Sequence, residues 1–168
     1  MAANLTLRLA AAADLAAIMA IERGPGFERF VGRSSIEEHQ GLMASANHVY
    51  FVGTSISGAI VAFAILRDLE DAHGNVYLKR IAVVRPDEGL GGAFLRLVVG
   101  WVFARARPHR FWLDCFTHNA RAQRVYEKLG FTRDGVLRQA YLAPNGDRFD
   151  LTMMAITRLE WREGAGAP

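Results

Sequence analysis

The chain has a single cysteine, Cys115. It therefore contains no internal disulfide and suits a reducing compartment, so the expectation is a cytoplasmic protein. It also lacks a long apolar run. The longest clean stretch, AIVAFAIL at 59–66, is far short of the roughly 20 residues that span a bilayer. The apolar patch LAAIMAI at 15–21 is closed in by Asp14, Glu22 and Arg23, with no basic region before it. No signal peptide and no membrane partner are expected. Blocks of like charge are missing as well. The net charge is +3 and the arginines are spread over both halves, which excludes a reading as a nucleic-acid binder on charge alone but suits an anionic ligand. No spacing of His, Cys, Asp or Glu suggests a metal site. There is no internal repeat and no interdomain linker. Asn4-Leu5-Thr6 matches a glycosylation acceptor, and with nothing else pointing to secretion it reads as a chance match.

What remains is the profile of one soluble globular domain. Of 168 residues, 51% are hydrophobic and 22% charged, enough to bury a sizeable core. The expected domain runs over 1–160, with 161–168 a frayed tail.

Periodicity predicts a strand over LTLRL at 5–9 and a helix from about 14, with Asp14 as its N-cap. A second helix starts at Ser35, which has Glu38 at capping-box spacing. HVYFVG and GAIVAFAIL read as a hairpin of two strands, and NVYLKRIAVV at 75–84 as another strand, stopped by Pro86. From Leu90 the apolar residues Ala93, Phe94, Leu97, Val98, Trp101 and Val102 recur at helical spacing, ending at Arg105, Arg107 and Pro108. RFWLDCF at 110–116 is a strand, 119–130 a helix with Gly130 as its stop, and two strands near 131–142 and 148–157 flank the turn signal PNGD. The order is β, α, α, three strands, α, β, α and a hairpin. It predicts an α/β fold with helices on both faces of one sheet.

The stretch DEGLGGAF at 87–94 joins a strand to an amphipathic helix. Its glycines allow close backbone approach to a ligand, and the free N–H groups of the helix start can hold an anion without a basic side chain. A dinucleotide fingerprint would need glycine where Phe94 stands, and a phosphate-binding P-loop would need Gly-Lys-Ser/Thr. By itself the stretch equally fits a plain tight turn. It opens on two carboxylates, Asp87 and Glu88, an odd entrance for a phosphate cradle.

A second constellation, WLDCFTHNARAQRVYEKLGF at 112–131, decides between those readings. With it the sequence resembles the GNAT superfamily of acetyl-CoA-dependent N-acetyltransferases. IAVVRPDEGLGGA resembles that family's first motif, a strand ending in IAV and then Gln/Arg-x-x-Gly-x-Gly/Ala, with Glu88, Gly91 and Ala93 at the patterned positions. Glu88 departs from the pattern. Asn119, Tyr126 and EKLGF are similar to the second motif. The two motifs cover 76–131 in the family's order.

The resemblance implies a single-domain fold with a mixed, mostly antiparallel sheet of about seven strands. It implies acetyl-CoA as acetyl donor and direct transfer to a primary amine in a ternary complex. The pantetheine arm would pair with Ile81, Ala82 and Val83. The pyrophosphate would lie on the amides of Glu88, Gly89, Leu90, Gly91, Gly92 and Ala93, with Arg85 or Arg96 as replacement charge for the patterned base. Asn119 would hydrogen-bond the cofactor arm, and Tyr126 would protonate the leaving thiolate, although its place on an apolar helix face also fits a core tyrosine. Asp114, an acid in an apolar strand, is the candidate base, acting through water; a salt-bridged or capping role fits it too. An N–H of the strand near Val83 would hold the oxyanion.

Alternation turns Cys115 away from Asp114 and into the core. Glu70, Asp71 and His73 could line an acceptor pocket, and the histidines otherwise read as surface or capping residues. The segment at 130–156 resembles the ribosomal-protein N-terminal acetyltransferases, which makes a protein N-terminus the first acceptor expected. A small-molecule amine is the alternative, and a non-catalytic acyl-CoA sensor the reading from another class. A homodimer is left open.

Overall fold

A computed structural model describes residues 5–27, 30–86, 88–106 and 108–164. Asn4, Asp87, Arg107 and residues 165–168 lie outside them. The elements run β1 (Thr6–Leu9), α1 (Leu15–Glu22), α2 (Ile36–Ala44), β2 (His48–Thr54), β3 (Ile60–Arg67), β4 (Asn75–Val83), α3 (Leu90–Trp101), β5 (Arg110–Phe116), α4 (Ala120–Lys128), β6 (Thr132–Leu142), β7 (Arg148–Thr157) and α5 (Arg158–Gly164). One seven-stranded sheet has the order β1-β2-β3-β4-β5-β7-β6. Its neighbours are antiparallel except β4 and β5. This is the expected architecture.

Local signals explain most boundaries. The Ser35 hydroxyl accepts from the Glu38 N–H at 3.2 Å and the Glu38 carboxylate accepts from the Ser35 N–H at 2.7 Å, so the capping box forms as read. Asp14 behaves differently from its expected N-cap role. It closes a 3-10 turn over Ala12–Asp14, accepting from the Ala11 N–H at 2.8 Å, and takes both Arg8 guanidinium nitrogens at 2.7 and 3.0 Å. The Arg8 hydrogen bond holds its carboxyl below the usual range.

Residues paired directly across strands share a face. The row Tyr50, Ile65, Arg80 faces α1 and α2, because Arg80 reaches Glu22 of α1 and Tyr50 reaches His39 of α2. The row Gly53, Ala62, Val83 faces α3, whose Phe94 ring leaves no room for a side chain at Gly53. In α3 the fully buried residues are Phe94, Leu95, Val98 and Val99, with Val102 just beyond its end. Each buried side chain stabilises the fold by roughly 2 kcal/mol. Leu97, expected on that face, is exposed. The helix is apolar almost all round, so the sheet rather than the periodicity chose its inner side. Beyond Trp101 the helix widens into π-type turns over Val102–Ala106, a geometry that the apolar spacing does not predict. The chain from 161 onward, expected to fray, begins inside α5, with Trp161 stacked on Phe103 at 5.5 Å.

Candidate active site

The parallel pairing of β4 and β5 runs from Asn75 opposite Arg110 to Leu78 opposite Leu113 and then stops. β4 continues to Val83, still held by β3, and β5 continues to Phe116, still held by β7. The sheet therefore opens between its two middle strands. A bulge sits at the point of opening. Ile65 pairs with Arg80 and Leu66 with Leu78, which leaves Lys79 as the extra residue. A bulge bends its strand and increases the local twist, carrying the rest of β4 away from β5.

The opening has a chemical consequence. Val84 donates to Val61 at 2.8 Å. Hydrogen-bonded pairs alternate along an antiparallel ladder, so Ala82 also bonds toward β3. Ile81 and Val83 are left with their N–H and C=O groups directed into the gap. An extended amide-bearing chain could pair there as a further strand.

A cavity of about 320 Å³ fills the gap. Ile81, Ala82 and Val83 form one wall, and Leu113, Asp114 and Cys115 the other. The start of α3 closes one end with Gly89, Gly91 and Gly92. Gly89 is the left-handed N-cap, at φ 76°, where other residues are strained. Gly91 and Gly92 are not required by protein packing: a Cβ on Gly91 would lie 4.0 Å from Val83, and one on Gly92 3.7 Å from Val125. Their bareness leaves the first amides of α3 open to an approaching anion, the fit a pyrophosphate requires.

Not all of the expected cradle lies there. Glu88, Leu90 and Ala93 do not line the cavity. The Ala93 N–H is already bonded to the Gly89 carbonyl at 3.1 Å. The Glu88 carboxylate lies 3.5 Å from Arg85, both side chains being exposed. Its side chain is thus exposed beside Arg85 and absent from the cavity lining. It also engages Arg85, one of the two expected replacement charges. Neither Arg85 nor Arg96 lines the cavity, whereas Arg121 does.

Asp114 and Tyr126 reach the cavity from opposite faces of the sheet. Asp114 shares the α1–α2 face with Tyr77 and Trp112, as the register of Tyr77 opposite Trp112 and Arg67 opposite Tyr77 requires. The Tyr77 hydroxyl donates to Asp114 Oδ2 at 2.9 Å. Tyr77 is itself fixed between the Trp112 ring at 4.3 Å and the Arg67 guanidinium at 4.7 Å. Burial raises the Asp114 carboxyl above its ordinary value, while the Tyr77 hydrogen bond and the charges of Arg67 and Lys79 partly oppose it. Asp114 is therefore neither salt-bridged nor a cap among the described residues.

Tyr126 lies on the other side, on α4, with its ring 6.0 Å from Phe131. Burial raises its hydroxyl well above the usual tyrosine value, so it stays protonated and remains a donor. Among the described residues no protein group bonds that hydroxyl. Asn119 caps α4, its Oδ1 accepting from Ala122 at 3.1 Å, and it lines the cavity too. Cys115 is pushed up to about 11 by burial, and next by the charge of Asp114. It is held as a thiol, a poor nucleophile.

One wall has no counterpart among the residues expected from the sequence. Phe27, Phe30, Val31 and Gly32, from the segment between α1 and α2, line the cavity, as do Lys79 and Arg80 from β4. The signal was present in YLKR at 77–80, a polar run in the middle of an interior strand. Glu70, Asp71 and His73 take no part: Asp71 caps its own turn, accepting from the N–H groups of His73 and Asn75 at 3.0 and 2.9 Å. Among the described residues there is no group of three or more His, Cys, Asp or Glu that could hold a metal, and no helix long and apolar enough to cross a membrane.

This geometry can be set beside known proteins. A family model described as the acetyltransferase (GNAT) family matches residues 15–131. Among solved structures, the spermidine N-acetyltransferase of Vibrio cholerae in complex with CoA and spermine superposes with a TM-score of 0.81 at 20% identity, over 94% of this chain and 98% of that one. A chimera built on the same enzyme gives a TM-score of 0.82 at 20% identity, with the same coverage. At that identity the likeness is one of fold.

Proposed function

The chain belongs to the acetyltransferase (GNAT) family, and from that premise we propose that its acceptor is the primary amine of a small molecule, attacking acetyl-CoA directly in a ternary complex. That it is an acetyl-CoA-dependent N-acetyltransferase follows from the family. The observation that supports the choice of acceptor is the apolar lining of Phe27, Phe30 and Val31 in a cavity of about 320 Å³. The fold neighbours, spermidine N-acetyltransferases, act by name on a small amine. A protein N-terminus, the first expectation, has less support on both counts.

The residues divide the work as follows. The free amides of Gly91 and Gly92 hold the pyrophosphate at the positive end of α3. Ile81 and Val83 pair with the pantetheine arm, and an N–H of the same strand edge meets the carbonyl oxygen as it gains charge. Asn119 fixes the start of α4 beside the arm. Asp114, oriented by Tyr77, takes the proton of the amine directly or through one water, since only the neutral amine has a lone pair. The new carbon–nitrogen bond forms at the thioester carbonyl and the carbon–sulfur bond breaks. Tyr126 gives its proton to the departing thiolate. No acyl-cysteine is needed, in keeping with a Cys115 held as thiol.

The test is release of free thiol from acetyl-CoA across a panel of amino acids, polyamines, aminoglycosides and N-terminal peptides. Turnover on small amines exceeding that on peptides is expected, and a preference for peptides would overturn the acceptor assignment. Tyr126→Phe should cut kcat by about 10²-fold, the scale of one proton-transfer group, with acetyl-CoA affinity nearly unchanged. Wild-type kcat in that variant would remove Tyr126 from the reaction.

A further inference from the structure

The acceptor side of the cavity is walled by cations. β4 brings Lys79 and Arg80 to its lining, while Asp114 is the one carboxylate among the described lining residues. Arg67 stands on the same face, over the Tyr77 ring that orients Asp114. Two of these three cations have anionic partners. Arg80 is matched by Glu22 at 2.8 Å, and Arg67 lies 3.3 Å from Asp68. Lys79 has no ion pair among the described residues, although it is only partly exposed. It occupies the bulge, where the strand is unpaired and the sheet begins to open. Burial depresses its pKa, as do the neighbouring charges of Arg67 and Arg80, whereas Asp114 counteracts both.

A half-buried ammonium on a residue that lines a ligand cavity can be satisfied by an anion from the ligand. A polyamine would bring a further positive charge beside Lys79, the one cation of the three without an anionic partner among the described residues. A zwitterion meets both features, its amine directed to Asp114 and its anion to Lys79. We propose that Lys79 is a specificity-determining residue that binds a carboxylate on the acceptor, so that the substrate is an amine carrying a carboxylate, amino-acid-like, and not a polyamine. This rests on the reading of the cavity as the site of acetyl transfer.

The test compares amino acids with their own amides and decarboxylated amines, and with spermidine, by thiol release from acetyl-CoA. Wild-type enzyme should favour the acid over its amide by about tenfold or more in kcat/KM, the size of one charge-assisted hydrogen bond. In Lys79→Gln that ratio should collapse toward unity through the acceptor KM, with the acetyl-CoA KM unmoved, and Lys79→Arg should keep it. A wild-type preference for spermidine or for the amides overturns the proposal while leaving the transferase reading intact, and needs no variant to fold. An undiminished acid-to-amide ratio in a folded Lys79→Gln overturns it as well. Cofactor binding with no turnover of any amine would sink both readings.

Discussion

Asp114 shows what a single residue gains from its surroundings. An aspartate in water ionises near pH 4 and is a weak base. Burial raises it, and the Tyr77 hydroxyl keeps it aimed. Its proton-accepting form therefore fills at higher pH than an ordinary carboxylate, and kcat/KM should carry an acidic limb above that range. Asp114→Asn should lose the limb and about 10²-fold in rate; an unchanged profile would assign the proton to another group. The same shift has a stability sign. A folded pKa above the unfolded one means that the folded state holds the extra proton between them. Stability then falls as pH rises through that window, and the ionised carboxylate is a cost at neutral pH. Asp114→Asn should consequently melt somewhat higher than wild type at pH 7, and the gain should vanish below about pH 4. A purely structural aspartate would show a decrease instead. The sequence offered Asp114 as an acid in an apolar strand, but it could not offer Tyr77, whose partnership depends on two strands 37 positions apart.

At the scale of the element, the glycine stretch is the part most legible in advance. Strand, glycines and amphipathic helix follow one another along the chain, so their joint geometry is local. Even so, the neighbours decide which amides are available: Ala93 is spent within the helix, and Glu88 turns outward to Arg85. Gly91 and Gly92 remain bare where a Cβ would be tolerated by the protein. Alanine at Gly92 should thus keep the fold, and gain roughly 0.5–1 kcal/mol of helix stability. Its acetyl-CoA affinity should fall by about tenfold, because the added methyl group holds the pyrophosphate away from one charge-assisted hydrogen bond. Calorimetric titration and a thermal melt on the same variant check both halves. Unchanged affinity would place the pyrophosphate elsewhere.

Across the whole molecule, a buried polar network ties the segment before α2 to β4, both of which line the site. Glu22 is fully buried at the end of α1. Its carboxylate accepts from the Ser34 N–H, Arg80 and His39 Nε2, each at 2.8 Å, and His39 Nδ1 meets the Tyr50 hydroxyl at 3.0 Å. A carboxylate only accepts, so His39 Nε2 carries a proton. Gly32 packs directly on the Arg80 guanidinium, where a Cβ would come within 2.9 Å. Three elements that meet only in the folded state, α1, α2 and β4, are thereby fixed to the segment that walls the cavity. Glu22→Gln should cost about 3–5 kcal/mol, the penalty for leaving a buried partner charge uncompensated. Chemical denaturation measures it, and a cost below about 1 kcal/mol would mean that the network is solvated.

The sequence alone determined the seven strands, the helices α1 to α4 and the residues of the two motifs, because each is written in neighbouring positions as periodicity, capping or spacing; α5 was not among its readings. The split between β4 and β5 was decided only by tertiary structure. So were the bulge that puts Lys79 at its apex, the burial that changes Asp114 and Tyr126, and the place of Phe27, Phe30 and Val31 in the cavity lining. Each depends on strands and loops distant in the chain meeting in one place, and on the desolvation that follows when they do.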